Sequence, residues 1–180
     1  MKAKSERYRS GEKALTRKEY EKLIEVIGDL QDELMIKMAV GLCLRREDLT
    51  SIETKDINME TSEIYFYERK KDIRRSLALP PSLTILLTKF LKTIPKRKYL
   101  FSYRGRTAYN KLQKWLEIAG LEKRPIHALR ATGIKFAHAA GWTDEQISKL
   151  TGDKIATIQE HYMTPSHDEM KEATKEKPIV

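Results

Sequence analysis

The chain has 180 residues, of which 40% are hydrophobic and 34% are charged, and its formal net charge is +9. This composition predicts one globular domain with a real core, and it excludes a disordered chain, a transmembrane protein and a pair of full-sized domains. Cys43 is the single cysteine, so an internal disulfide is excluded, and no Cys/His cluster has the spacing of a zinc site. The excess of positive charge favours a polyanionic partner, with nucleic acid first.

The amino-terminal residues carry basic side chains but no apolar stretch after them, so they do not have the pattern of a secretory signal. We therefore expect a cytoplasmic protein without membrane contact. Residues 1–13 are polar and aperiodic, which predicts a flexible basic tail or a linker remnant. Lys, Glu and Arg are abundant while Asn and Gln are scarce, a balance typical of proteins from hot environments.

Helical patterns dominate the first quarter of the chain. Thr16 and Glu19 have capping-box spacing, and apolar residues then recur at helical intervals, which predicts a first helix. The same periodicity predicts a second helix that ends close to Arg45, and a short third helix is expected over 47–52. The second helix is predicted from Met35, Met38, Ala39 and Leu42.

Between residues 57 and 79 the pattern changes to short segments of strand-like alternation, which predicts a small antiparallel sheet. The turn sequence ERKKDIRR makes its hairpin strongly basic. Pro80 and Pro81 close the last strand, and Ser82 is expected to cap a helix that continues to Leu91.

The last third of the chain again has helical periodicity. One stripe stops at Gly120, a helix is expected over 127–140, and Thr143 with Gln146 offers a second capping box closed by Gly152. A final core helix contains Ile155 and Ile158 and carries Tyr162, and the charged tail 166–180 is expected to be helical over 168–174. The fold class predicted is mainly α with a small antiparallel β-sheet (α+β).

Transfer of a phosphodiester needs a nucleophile, cations around the phosphorus and a proton donor for the leaving hydroxyl. The segment LCLRREDLTSIETKDI resembles the part of the tyrosine recombinases, or phage integrase family, in which an arginine precedes an acidic helix. The resemblance implies that Arg45 is a catalytic arginine and that Asp48 helps to orient it. Cys43 stands where the family usually has a small glycine, which we interpret as a packing variation. Considered alone, Arg45 fits an ordinary surface arginine better.

The basic hairpin resembles the family's second and third strands, where a lysine near the turn donates a proton to the leaving 5′ oxygen. Aligning RRSLALP with the closing strand places Lys70 at that position, with Lys71 as its close competitor. The alternative is that both lysines simply solvate a turn.

The segment HALRATGIKFAHAAG is similar to the family's His-x-x-Arg helix. His127 and Arg130 are three residues apart, so one helical face presents both to a single phosphate. The resemblance implies that His127 handles protons or binds the phosphate, which suits a side chain that titrates near neutrality. It implies that Arg130 binds the phosphate together with Arg45.

The segment LTGDKIATIQEHYM resembles the segment that ends in the nucleophile, and Tyr162 follows its glycine at the family spacing. Nearby cations must favour the phenolate, because a free phenol has a pKa of about 10; a half-buried core tyrosine is the alternative. Asp153 stands where the family has His or Trp, and an aspartate there repels a phosphate unless it pairs with an arginine. Lys154 or His161 are candidates to supply part of the missing function.

The resemblance implies a tyrosine recombinase catalytic domain over residues 14–165, and archaea or archaeal mobile elements are among its expected sources. It implies a site-specific recombinase or integrase that cleaves and rejoins DNA through a 3′-phosphotyrosine, with no metal and no nucleotide cofactor. The expected partners are double-stranded DNA and further copies of the chain, as a dimer or tetramer on DNA. The alternatives are a DNA-binding module of the same fold with weak or no cleavage, and a basic interaction protein without a DNA role. The side chains expected to contact DNA are Arg69, Lys71, Arg74, Arg75, Arg104 and Arg106.

Overall fold

A computed structural model describes residues 10–68, 71–165 and 167–179. These residues form a mainly helical fold with one small sheet, which confirms the predicted fold class. A 3₁₀ turn at Ser10–Lys13 precedes the first helix. The helices are α1 (Arg17–Val26), α2 (Leu30–Gly41), α3 (Arg46–Thr50), α4 (Pro81–Leu91), α5 (Gly105–Ile118), α6 (His127–Ala139), α7 (Asp144–Thr151), α8 (Ile155–His161) and α9 (His167–Glu176); the strands are β1 (Ile57–Asn58), β2 (Glu63–Glu68) and β3 (Ile73–Ala78).

Helix α2 is the centre of the main core and is buried on most of its surface, because it packs against α4 and α6. Leu34 and Ile36 are fully buried beside the predicted core residue Met35. From Leu34 onward the helix is apolar except for Lys37, and such an apolar segment is typical of a central position. It ends at Gly41, short of the predicted end near Arg45, because Cys43 takes a positive φ of 50° that interrupts the helix.

Local signals set the helix ends correctly in several places. Thr16 and Thr143 both form complete capping boxes, with Glu19 and Gln146 respectively, as predicted. Gly152 terminates α7 in the left-handed conformation, at φ 74°. The predicted cap at Ser82 is wrong: α4 begins at Pro81, where the missing N–H and the fixed φ of proline suit the first turn.

The sheet has the order β1-β2-β3 and is antiparallel throughout. Ile64 pairs with Leu77 and Phe66 with Arg75, so the apolar side chains of β2 face the helical core. Arg69 and Lys70, which follow β2 in the sequence, are outside the described residues. The hairpin approaches α3 on one side, and Arg75 reaches carbonyl oxygens at the end of α7 on the other.

A second, smaller core surrounds Tyr162 and includes Ile134, Ile147 and Ile158. The 3₁₀ turn closes it: a Cβ added at Gly11 would lie 2.2 Å from the Tyr162 carbonyl oxygen. Residues 1–9 are outside the described part of the chain, so the basic tail stays a prediction there. Residues from the hairpin, the α2–α3 loop, α6, the α7–α8 turn and the end of α8 therefore meet at one place.

Candidate active site

Arg45 lies at the start of α3, immediately after the turn in which Cys43 has its positive φ. Its Nη1 donates to Glu68 Oε1 at 2.5 Å and its Nη2 donates to Asp153 Oδ1 at 2.6 Å. About a fifth of the side chain remains exposed (19%). The left-handed turn explains why a glycine suits position 43 in the family, since glycine adopts that conformation without strain.

Arg130 enters the same place from α6 and is 2% exposed. Its Nη1 donates to the carbonyl oxygen of Cys43, and its Nη2 donates to the carbonyl oxygen of Thr151 at 3.0 Å. The same Nη2 donates to Asp153 Oδ2 at 2.6 Å. Burial lowers the pKa of Arg130, but the Asp153 carboxylate outweighs it and the pKa lies above the ordinary arginine value. The guanidinium is therefore fixed by the backbone of the α2–α3 loop and of the last residue of α7, and it stays charged.

Asp153 joins the two arginines, because each of its carboxylate oxygens accepts from a different guanidinium. We call the two arginines, Arg45 and Arg130, the arginine clamp. Burial acts to raise the pKa of Asp153, but Arg130 and then Arg45 lower it more, so the pKa lies below its usual value. The carboxylate is therefore ionised at neutral pH. The aspartate pairs with the arginines and does not turn away from them.

Glu68 at the end of β2 is a site residue that the sequence analysis missed. Its side chain is fully buried, and it accepts from Arg45 at 2.5 Å and from Arg75 Nη1 at 3.0 Å. The Lys71 ammonium lies 3.7 Å from the same carboxylate. We call these four residues the Glu68 cluster. Burial acts to raise the pKa of Glu68, but the hydrogen bonds from Arg45 and Arg75 outweigh it and the pKa is lowered.

Gly152 allows the turn before Asp153 to lie directly against Glu68, Arg75 and Lys71 of the Glu68 cluster. A Cβ at this position would lie 2.6 Å from Arg75 Nη1 and 3.0 Å from both Glu68 Oε2 and Lys71 Nζ. The positive φ and the close approach both call for glycine here. The turn before Asp153 is thereby pressed against the hairpin.

Tyr162 caps the end of α8 and is buried, at 5% exposed. Its hydroxyl lies 3.0 Å from His127 Nε2. Burial raises the pKa of Tyr162, Arg130 lowers it, Asp153 raises it again, and the net shift is upward. The phenol is thus buried, as in the core-tyrosine alternative, yet its hydroxyl faces His127 and lies within the field of both arginines.

The other predicted residues are placed less centrally. Asp48 is buried on α3, and Lys154 is exposed at the start of α8. His161 Nε2 lies 3.9 Å from Glu160, whereas His127 takes the position beside the phenol. Lys70, the first choice for the proton donor, lies outside the described residues, while its competitor Lys71 belongs to the Glu68 cluster.

The predicted DNA-contacting residues fall into two groups. Arg74 is largely exposed and pairs with Asp56 at 3.0 Å, and Arg104 and Arg106 are exposed at the start of α5. Arg75 instead donates to the carbonyl oxygens of Lys149 and Leu150, at 2.5 and 3.0 Å, and its side chain is 14% exposed. Arg69 lies outside the described residues.

An open cavity of about 610 Å³ adjoins the site. Arg45, His127 and Tyr109 of α5 are among the residues that line it. No helix in the described part of the chain is long and apolar enough to cross a membrane.

Comparison with known proteins finds one matching family model and several relatives. Residues 13–169 match the model of the phage integrase family. The tyrosine recombinase XerA of Saccharolobus solfataricus is 29% identical over 148 residues, which are 82% of this chain and 50% of that protein. XerA of Pyrococcus horikoshii is 24% identical over 178 residues, covering 93% of this chain and 62% of that protein. The chain thus spans about half to two thirds of these relatives.

Solved structures share the fold. A crystal structure of XerA recombinase superposes with a TM-score of 0.77 at 20% identity, covering 93% of this chain and 66% of that one. The lambda integrase bound to DNA gives 0.73 at 19% identity, covering 92% and 65%. The catalytic domain of bacteriophage HP1 integrase gives 0.66 at 19% identity, covering 92% of this chain and 95% of that one.

Proposed function

The chain belongs to the phage integrase family, and we propose that it is the catalytic domain of a tyrosine-type site-specific DNA recombinase that forms a 3′-phosphotyrosine. One observation carries the proposal: the Tyr162 hydroxyl lies 3.0 Å from a histidine nitrogen, beside two arginines that the fold brings together from distant segments. The match over nearly the whole HP1 catalytic domain supports assigning the chain to that part of a recombinase.

In the proposed reaction, the Tyr162 oxygen attacks the scissile phosphorus and the phenol proton passes to His127 Nε2. The bond from phosphorus to the 5′ oxygen breaks, and a lysine ammonium of the hairpin protonates the leaving oxygen. Arg45 and Arg130 stabilise the charge that develops on the phosphate oxygens. Since the ester energy is kept in the phosphotyrosine, reversal of these steps rejoins the strands without ATP or metal.

Two lysines compete for the role of proton donor. Lys71 Nζ lies next to Glu68 and Gly152, at the border of the arginine clamp. This placement makes Lys71 a candidate donor as well as Lys70, which the sequence resemblance favours.

A DNA substrate with sulfur in place of the leaving 5′ oxygen distinguishes the two lysines, because a thiolate leaves without protonation. Alanine at the donor position should slow cleavage of ordinary DNA by about a hundredfold or more and leave cleavage of the sulfur substrate near wild type. Alanine at the other lysine should leave both rates close to wild type. A lysine whose loss slows both substrates equally is not the proton donor.

The proposed substrate is double-stranded DNA, supported by the net charge of +9 and by exposed cations near the site. The affinity for DNA should fall steeply as the salt concentration rises.

We also propose that copies of the chain associate on DNA, with α9 as a candidate contact. In the single chain, α9 is tied to α6 by Lys135 and Glu169 at 2.5 Å. Sedimentation of the chain with and without residues 167–180 on DNA tests this; equal assembly would remove α9 from the contact.

The decisive experiment incubates the protein with duplex DNA that is nicked near the cleavage site, so that the cut strand diffuses away and the covalent adduct accumulates. We expect an adduct with wild type and none with Tyr162→Phe. Salt-dependent DNA binding without an adduct on a cognate site would favour the DNA-binding module instead. An adduct that persists in Tyr162→Phe would show that another residue is the nucleophile.

A further inference from the structure

The carboxylate of Asp153 occupies the position between the two arginines that a bound phosphate would need. Its two oxygens accept from Arg45 Nη2 and Arg130 Nη2, each at 2.6 Å. A phosphodiester likewise presents two charged oxygens, and guanidinium groups bind both kinds of anion through the same N–H donors. In the free protein, a carboxylate anion therefore already lies where the oxygens of a bound phosphate would contact the two arginines.

The surrounding contacts would survive the removal of this anion. Arg130 is also held by the carbonyl oxygens of Cys43 and Thr151, and Arg45 is also held by Glu68. Neither guanidinium would lose its position if Asp153 turned away. In addition, Arg130 Nε is buried and has no hydrogen-bond partner in the described part of the chain.

The backbone of Asp153 is held by contacts of its own, separate from the two ion pairs of its side chain. The Asp153 amide donates to Thr151 Oγ1 at 3.1 Å, and its carbonyl oxygen accepts from Ser148 Oγ at 2.7 Å. Gly152 in front of it has the left-handed conformation, packed against the hairpin. Release of the carboxylate thus requires only side-chain rotation, not movement of the loop.

We propose that Asp153 is an internal substitute for the DNA phosphate: it fills the arginine clamp in the free protein, and the phosphodiester must displace it. Naming the ligand as a DNA phosphodiester rests on the proposed function, whereas competition for the clamp by phosphate does not. As a consequence, the clamp selects among phosphates by how strongly they bind. A phosphate that binds the clamp weakly cannot displace a carboxylate held by two ion pairs, so only a phosphate positioned by further DNA contacts enters.

The test measures binding of inorganic phosphate to wild type, to Asp153→Asn and to the control Glu145→Gln. Glu145 is an exposed acid in the first turn of α7, the helix that precedes Asp153, so its change removes the same amount of charge without altering the described contacts of the two arginines. Isothermal titration is run at constant ionic strength, set with chloride, to remove general screening. We expect Asp153→Asn to bind phosphate about tenfold more tightly or better, because the competing charge is gone, and the control to match wild type.

A second measurement follows the melting temperature of the variant, which remains informative if Asp153→Asn is less stable than wild type. Without its anion, Asp153→Asn leaves two guanidinium groups in close apposition, and its melting temperature should fall and then recover as phosphate is added. Asp153→His, which places the usual family residue there, should show the same greater response to phosphate. Equal phosphate affinity and equal thermal response in wild type and both variants would overturn the proposal.

Adduct formation by wild type on nicked DNA is measured in parallel. An adduct together with unchanged phosphate affinity in Asp153→Asn would overturn this inference and leave the recombinase function intact. Tighter phosphate binding in Asp153→Asn without an adduct in any protein would support the competition and remove the proposed chemistry.

Discussion

Replacing Glu68 by Gln should destabilise the protein, although Glu68 begins the charged sequence ERKKDIRR, which indicates a solvated turn. The carboxylate is fully buried and has three cationic neighbours, Arg45 at 2.5 Å, Arg75 at 3.0 Å and Lys71 at 3.7 Å. Removing the anion leaves those charges facing one another around a buried position. Loss of one partner from a buried ion cluster costs about 3–5 kcal/mol. Glutamine keeps one acceptor, and Arg45 and Arg75 keep other acceptors, so we expect about 3 kcal/mol.

Urea unfolding followed by circular dichroism measures this change. With a slope of about 2 kcal/mol per molar urea for a domain of this size, the midpoint should fall by about 1.5 M. Glu60→Gln, at an exposed position before β2, is the matched control and should change stability by less than about 0.5 kcal/mol. If Glu68→Gln unfolds at the same urea concentration as Glu60→Gln, the cluster does not stabilise the fold as argued.

The pH dependence gives the same reasoning a second test. The pKa of Glu68 is lowered in the folded chain, so its contribution is complete above its unfolded value of 4.5 and is lost as the pH falls through the lower folded value. The difference in unfolding free energy between wild type and Glu68→Gln should therefore be constant from neutral pH to about pH 5 and shrink below about pH 4.5. A difference that shrinks between pH 7 and 6 would assign the effect to another group.

Two further predictions concern glycines. Gly152→Ala should lower the free energy of unfolding in urea by about 3 kcal/mol and slow DNA cleavage, because its Cβ meets Arg75 and Glu68. The control Gly120→Ala has a similar φ of 67° but lies in open space, so it should cost only about 1 kcal/mol. Equal costs for the two variants would show that the contact at Gly152 is unimportant. Gly133→Ala places a Cβ 2.0 Å from the Val40 carbonyl oxygen and should cost about 3 kcal/mol by separating α2 from α6, with Gly28→Ala, which meets nothing, within about 0.5 kcal/mol of wild type. A thermal melt of Gly133→Ala that matches that of Gly28→Ala would contradict this packing.

Helix ends and site motifs were predictable where the signal is local. The capping boxes at Thr16 and Thr143 and the stop at Gly152 each depend on a few adjacent residues. The spacing of His127 and Arg130 likewise predicted that both side chains point toward one place, and in the structure His127 contacts Tyr162 and Arg130 contacts Asp153. The end of α2 was predicted too late, because nothing local shows that Cys43 adopts a positive φ in place of the usual glycine.

Burial in the hairpin was not predictable from the same kind of signal. Glu68 stands in a run of charged residues, which indicates a solvated turn, and Arg75 was expected on the DNA-facing surface. The Glu68 side chain is instead fully buried and the Arg75 side chain is 14% exposed, and Arg75 donates to the carbonyl oxygen of Lys149, 74 residues away along the chain. Only the fold brings that carbonyl within reach, through Gly152 and its missing side chain.

The contacts that hold the site differ in whether DNA can replace them. Arg130 is held by the carbonyl oxygens of Cys43 and Thr151, which belong to the backbone and cannot be exchanged for a phosphate. Arg45 is held by Glu68, which is buried and neutralises the neighbouring cations. Both arginines are thus oriented before any ligand arrives, as efficient charge stabilisation requires. The carboxylate between them is attached through a rotatable side chain, so an incoming phosphate can take its place without reorganising the arginines.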